Sequence, residues 1–92
     1  MTREQAEILG LQALSHIAAQ DDLFAAFLAA SGASPADLRA RAADPAFLGA
    51  VLDFLLEDDR RVLDFAAAAG IAPTQPAEAR ARLPGGQAWH WT

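Results

Sequence analysis

Residues able to do chemistry are few in this chain, and the acidic ones gather between 57 and 64. Glu57, Asp58, Asp59 and Asp64 place four carboxylates close together, a set that could hold a divalent cation or divide general acid and base roles. Arg60 and Arg61 follow directly, however, and acids at a helix start favour its dipole, so capping accounts for the cluster. Asp53 interrupts the most apolar segment; Gly49, Ala50 and Asp53 share one narrow face with Glu57 just beyond. That face reads as a solvent-facing strip, or as a close helix crossing permitted by small residues.

The histidines offer less. There are two, His16 and His90, and no cysteine, so a preorganised zinc site lacks ligands, and His16 has no partner at i+4. His16 falls on a polar helical stripe and reads as a solvated surface histidine. Ser15 and His16 are adjacent on a helix and point roughly 100° apart, which rules them out as a nucleophile and base pair. "ASGAS" follows no strand, as a nucleophile elbow would require, and no glycine-rich phosphate loop is present. No catalytic residue, cofactor or metal is expected.

The elements that position these groups are sharply punctuated. Thr2 with Gln5 makes a capping box for a first helix, with Ile8, Leu11, Leu14 and Ala18 as its apolar stripe and Gln5, Gln12 and His16 opposite. "QDD" at 20–22 opens a second helix carrying Leu23, Phe24, Phe27 and Leu28, closed by Gly32. Ser34, Pro35 and Asp37 open a short third through about Ala43, and Asp44 with Pro45 opens a fourth. The fourth, "AFLGAVLDFLL", is apolar around most of its circumference and should be the central, buried helix. Asp58 or Asp59 caps a fifth that ends at Gly70, and a sixth runs from about Pro76 to Leu83 before "PGG" at 84–86 breaks it. With no alternating segment of strand length, the fold class is all-α, a compact bundle of about six short helices. Residues 1–86 form one helical domain and 87–92 a C-terminal aromatic tail.

Shifting the chain by 38 positions aligns Leu14 with Leu52, Phe27 with Phe65, Gly32 with Gly70 and Pro35 with Pro73. A three-residue insertion then sets Arg39 and Arg41 against Arg80 and Arg82. Either two pseudo-symmetric three-helix halves fold against each other, or two capped, alanine-rich segments match by composition. If the repeat is real, those four arginines could grip an acidic partner; intramolecular pairing or solvation is the competing account.

Composition narrows the partners. Alanine supplies 24 residues of the 53% hydrophobic share, and alanine makes helices more than cores. All seven basic residues are arginine, and the net charge of -5 argues against nucleic acid or an anionic membrane surface. No apolar run approaches the ~18 residues of a membrane span, and "MTREQAE" lacks a signal-peptide pattern, so a cytoplasmic location is expected. A domain this small has a thin stability margin, which a homodimer would relieve.

Residues 38–73, "LRARAADPAFLGAVLDFLLEDDRRVLDFAAAAGIAP", with "ADPAFLGAVLDFLL" as their core and "ARLPGG" further on, resemble a family of small alphaproteobacterial proteins, domain of unknown function 3572. The likeness covers nearly the whole chain and implies no activity, ligand or catalytic residue. Relatives encoded near single-domain response regulators imply a signalling partner.

Two functions stand from different classes. The first is a noncatalytic interaction or regulatory module that binds a protein through exposed apolar surface, through Arg39, Arg41, Arg80 and Arg82, and through Trp89 and Trp91, because tryptophan and arginine dominate binding hot spots. The second is a small-molecule binder or minor enzyme with a pocket between the helical halves and Asp53 or the acidic cluster as its polar group. The tail bears both explanations, since its two tryptophans could instead fold back and cover apolar surface of the bundle.

Overall fold

A computed structural model describes residues 1–84, and in it the helices start where local capping chemistry places them. Helix α1 (Arg3–Ala18) opens with the Thr2–Gln5 capping box, each side chain accepting from the other's backbone N–H. Helix α2 (Asp21–Ser31) has Gln20 at its cap without a side-chain cap bond, Asp21 and Asp22 in its first turn, and Gly32 at φ 73° closing it. Helix α3 (Pro35–Arg41) carries a second capping box, Ser34 with Asp37. Helix α4 (Pro45–Leu56) is capped by Asp44, and α5 (Asp59–Ala69) by Asp58, with Gly70 at φ 70° ending α5. Helix α6 (Gln75–Ala81) follows Thr74, which makes no cap bond. Helices α3 and α6 both stop two residues short of their predicted ends, because the chain turns over into 3-residue bonds, Asp44 N–H to Arg41 O and Leu83 N–H to Arg80 O. The described residues contain six helices and no strand.

Helix α4 is the centre, as its circumference predicts: it packs on α1, α2, α5 and α6, and Val51, Leu52 and Leu55 have no solvent exposure. Phe27 of α2 sits edge-on to both Phe47 and Phe54, at ring-centroid distances of 6.1 and 5.3 Å, and locks α2 onto α4. Helix α1 crosses α4 closely at Gly10, where a Cβ would come within 3.0 Å of Leu48 Cβ.

The face that α1 buries differs from the expected stripe. Ala6, Leu9, Gly10, Ala13, Leu14 and Ile17 point into the core, while Ile8 and Leu11 are exposed. Close approach to α4 favours the side with the smallest residues, so Ala6 and Ala13, both fully buried, outrank the larger aliphatics. Alanine is therefore core material here, with Ala66 and Ala79 buried as well.

The two-half arrangement is not reproduced at the third helix of each half. Helix α1 touches α2 and α4 touches α5, but α6 is wedged against α1 and α4 whereas α3 reaches the core mainly through Leu38. A Cα radius of gyration of 12.1 Å is what a closed globule of this length requires, about 12 Å, and excludes an extended array.

Candidate functional site

Asp53, the acid inside the most apolar helix, is explained by a neighbour from α6. Arg80 Nε donates to Asp53 Oδ1 at 2.6 Å, and its Nη1 donates to the carbonyls of Leu83 and Pro84 at 3.5 and 3.2 Å. Arg80 is 8% exposed, and it fits because α4 has a glycine one turn before Asp53: a Cβ on Gly49 would lie 2.5 Å from Arg80 Nη1. The small-residue strip Gly49, Ala50, Asp53 is thus a helix crossing built around an arginine. One guanidinium ties α4, α6 and the end of the last turn together, and among the described residues no buried side-chain N or O lacks a hydrogen-bond partner.

Glu57, Asp58 and Asp59 of the acidic cluster lie at the α4–α5 junction, while Asp64 lies within α5. Asp58 accepts from the Arg60 N–H at 2.9 Å as a cap, and Glu57 pairs at 3.7 Å with Arg61. The Arg61 guanidinium lies 4.0 Å from the Phe54 ring centroid and donates to the Phe54 carbonyl at 2.9 Å, closing the C-terminus of α4. Among the described residues no three His, Asp or Glu side chains converge as a metal site requires. His16 is half-buried rather than free in solvent: its ring packs 5.4 Å from that of Phe65, and the Gln20 amide reaches back to its Nε2 and its carbonyl. The Gln20 side chain is thus turned back onto α1, and α2 has no side-chain cap.

The arginines proposed to grip a partner are dispersed in role. Arg80 is internal; Arg41 is exposed but leans on the Phe47 ring at 5.2 Å; Arg39 and Arg82 are exposed. The principal neighbours of α6 are α1 and α4, so Arg80 and Arg82 are not set beside Arg39 and Arg41 by packing of their helices on each other. Trp89 and Trp91 lie outside the described residues.

The feature that stands out is the outward side of α1. Ile8 and Leu11 are 58% and 46% exposed, one turn apart. Beside them runs a furrow of two adjoining grooves sharing Gln12. One, of about 410 Å³, lies between Met1, Gln5, Ile8 and Leu9 of the N-terminal segment and Ile71, Gln75 and Glu78. The other, of about 380 Å³, lies between Ser15 and His16 and the Phe65, Ala68 and Ala69 side of α5. Together they follow α1 for about four turns, roughly 20 Å. Their walls mix apolar residues with the amides of Gln5, Gln12 and Gln75 and with Ser15, His16 and Glu78, and hydrophobic periodicity could not reveal them, since it sent Ile8 and Leu11 inward.

No described helix is long and apolar enough to cross a membrane. A family model described as "Protein of unknown function (DUF3572)" matches residues 3–86. No curated protein and no solved structure matches.

Proposed function

The chain belongs to the DUF3572 family, and from that premise we propose that it is a noncatalytic protein-interaction module whose docking surface is the outward face and furrow of α1. The observation that carries the reading is the pair Ile8 and Leu11, left in water on a helix whose opposite side is the core. A single exposed aliphatic is ordinary, whereas two at i, i+3 with Met1 also exposed, beside grooves lined by Ile8 and Ile71, are exposed apolar surface of the kind that marks partner sites. Gln5, Gln12 and Gln75 supply donors and acceptors along it, which suits a bound peptide segment whose backbone needs both. Arg39, Arg41 and Arg82 remain as exposed charges that could steer an acidic partner, while Arg80 serves the fold.

The small-molecule alternative is weaker on one specific point. Its polar group is Asp53 or the acidic cluster, and of these Asp53 is paired with Arg80, Glu57 with Arg61, and Asp58 caps α5.

The test is capture from native lysate with the tagged chain beside its Ile8→Glu and Leu11→Glu variants. A specific protein enriched by the wild type and lost with both variants, at unchanged helix content by circular dichroism, is the expected result. A partner retained equally by both variants, or no enrichment over a tag-only control, overturns the proposal. A second copy of the chain is one occupant the face could take, in which case sedimentation would show a dimer that Leu11→Glu dissociates.

A further inference from the structure

The furrow beside α1 does not end at His16. That residue also borders a third, larger depression of about 600 Å³ between the N-terminal halves of α2 and α5. The charged lining of this basin is Asp21, Asp22, Asp58 and Asp64 against Arg60 and Arg61. Arg61 is already engaged, over the Phe54 ring and with Glu57, and Asp58 caps α5. Asp21 and Asp22 sit in the first turn of α2, where the helix dipole favours them. Asp64 lies beyond the first turn of α5, so neither capping nor dipole accounts for it. Among the described residues Asp21, Asp22 and Asp64 are exposed and have no guanidinium within salt-bridge distance. At the other end of the furrow the one charged lining side chain is another carboxylate, Glu78.

We propose that the occupant of the α1 face is a basic amphipathic segment of a partner protein, with apolar side chains on Ile8, Leu11 and Ile71 and lysine or arginine side chains in the acidic basin. The inference rests on the reading of the α1 face as a docking surface, and it adds the chemistry of what docks there. The apolar and acidic parts are continuous, since Gln12 joins the first groove to the second and His16 joins the second to the basin. From Ile8 to His16 is eight residues of helix, about 12 Å. The apolar anchors and the cations of the partner are therefore about eight residues apart if its segment is helical, and about four if it is extended.

Charge selects this occupant over the others. An acidic segment lying on Ile8 and Leu11 would be set between Glu78 and the basin, and Arg39, Arg41 and Arg82 line none of the three grooves. A second copy would bring another net charge of -5 to the same face. Opposite charge at one end of an apolar contact fixes the direction in which a segment lies and speeds its encounter.

The test titrates the full chain against fluorescein-labelled peptides of about 14 residues, about 20 Å when helical, read by fluorescence anisotropy. Each carries leucines in one half and lysines in the other, in both chain orders, beside counterparts with glutamate in place of lysine. A lysine peptide should bind, and more weakly as salt is raised, while the glutamate counterparts should not. Asp21→Asn with Asp22→Asn and Asp64→Asn should weaken it several-fold at unchanged helix content; Asp64→Asn alone, outside the first turn of α5, serves if the triple variant disturbs α2. Leu11→Glu should weaken it as well, although it makes the protein more acidic. Lysine and glutamate peptides bound alike, and both lost with Leu11→Glu, would leave the α1 face standing and overturn the basic partner. A lysine peptide held as well or better by Leu11→Glu would be bulk charge attraction and overturn the inference together with the α1 reading. No binding of any peptide overturns the inference alone, and the lysate capture then decides the α1 face separately.

Discussion

Arg80 is buried because Gly49 leaves room for its guanidinium and Asp53 compensates its charge. Asp53→Ala should therefore cost about 1–3 kcal/mol, the cost of leaving a buried donor group unpaired, with the half-exposed carboxylate side holding it below a fully buried pair. Gly49→Ala tests the same fit from the other side. A helical alanine normally gains about 0.5–1 kcal/mol over glycine, but here its Cβ would meet Arg80 Nη1 at 2.5 Å. The net result should be a loss of about 1–3 kcal/mol, as for overpacking, and the sign should reverse in an Arg80→Ala background. Denaturant melts of the four proteins in that cycle decide it. A second residue-scale effect lies in the cap of α3. The Ser34 backbone N–H, then its hydroxyl, hold the Asp37 carboxyl below its usual range. A lowered folded value means the folded state favours the carboxylate, so this stabilisation is complete above the ordinary carboxylate value and is lost as pH falls through the lowered one. Asp37→Asn should flatten that part of the acid limb in thermal midpoints measured against pH, and an unchanged acid limb would refute the assignment.

Most helix starts and stops were readable because they are settled within a few residues. Thr2 with Gln5 and Ser34 with Asp37 satisfy orphan N–H groups locally, the prolines after Ser34 and Asp44 carry no N–H to leave unpaired, and Gly32 and Gly70 adopt the left-handed conformation that ends α2 and α5. At both glycines an added Cβ would meet nothing, so any cost is backbone strain alone. Gly70→Ala should cost about 1–2 kcal/mol, the left-handed penalty for a side chain, and Gly70→Asn less. The orientation of α1 was not readable, and it has a sharp consequence. Leu14→Ala should cost about 2–5 kcal/mol as a core truncation, whereas Leu11→Ser should stay within about 0.5 kcal/mol as a surface change. Had the stripe of Ile8, Leu11, Leu14 and Ala18 decided burial, Leu11→Ser would be costly as well as Leu14→Ala; chemical denaturation of the pair separates the two views.

Across the whole molecule the margin is small and its centre is α4. A chain of 92 residues holds about 5–14 kcal/mol in total, so Leu52→Ala at the fully buried centre, costing about 2–5 kcal/mol, removes a large share. A drop in thermal midpoint on the order of 10 °C or more should follow, since each kcal/mol is worth about 4–8 °C in a domain this size. The same economy bears on surface use. With Phe27, Phe47 and Phe54 already committed to joining α2 to α4, the large aliphatics left in water among the described residues are Met1, Ile8 and Leu11 at α1 and Leu63 on α5, and α1 carries most of them.

The sequence by itself determined that the chain is all-helical, where most helices begin and end, and which helix occupies the centre, because capping, glycine conformation and an apolar circumference are local properties. It also carried the family likeness, through motifs in α4 and the last turn. Only the tertiary structure decided which side of α1 faces the core, that Asp53 belongs to Arg80, and that α3 and α6 pack differently. Those outcomes depend on what a partner helix brings to within a few ångströms: Leu48 against Gly10, Arg80 against Gly49. Close packing across elements far apart in the chain selects small residues at crossings, and no periodicity within one helix encodes the choice.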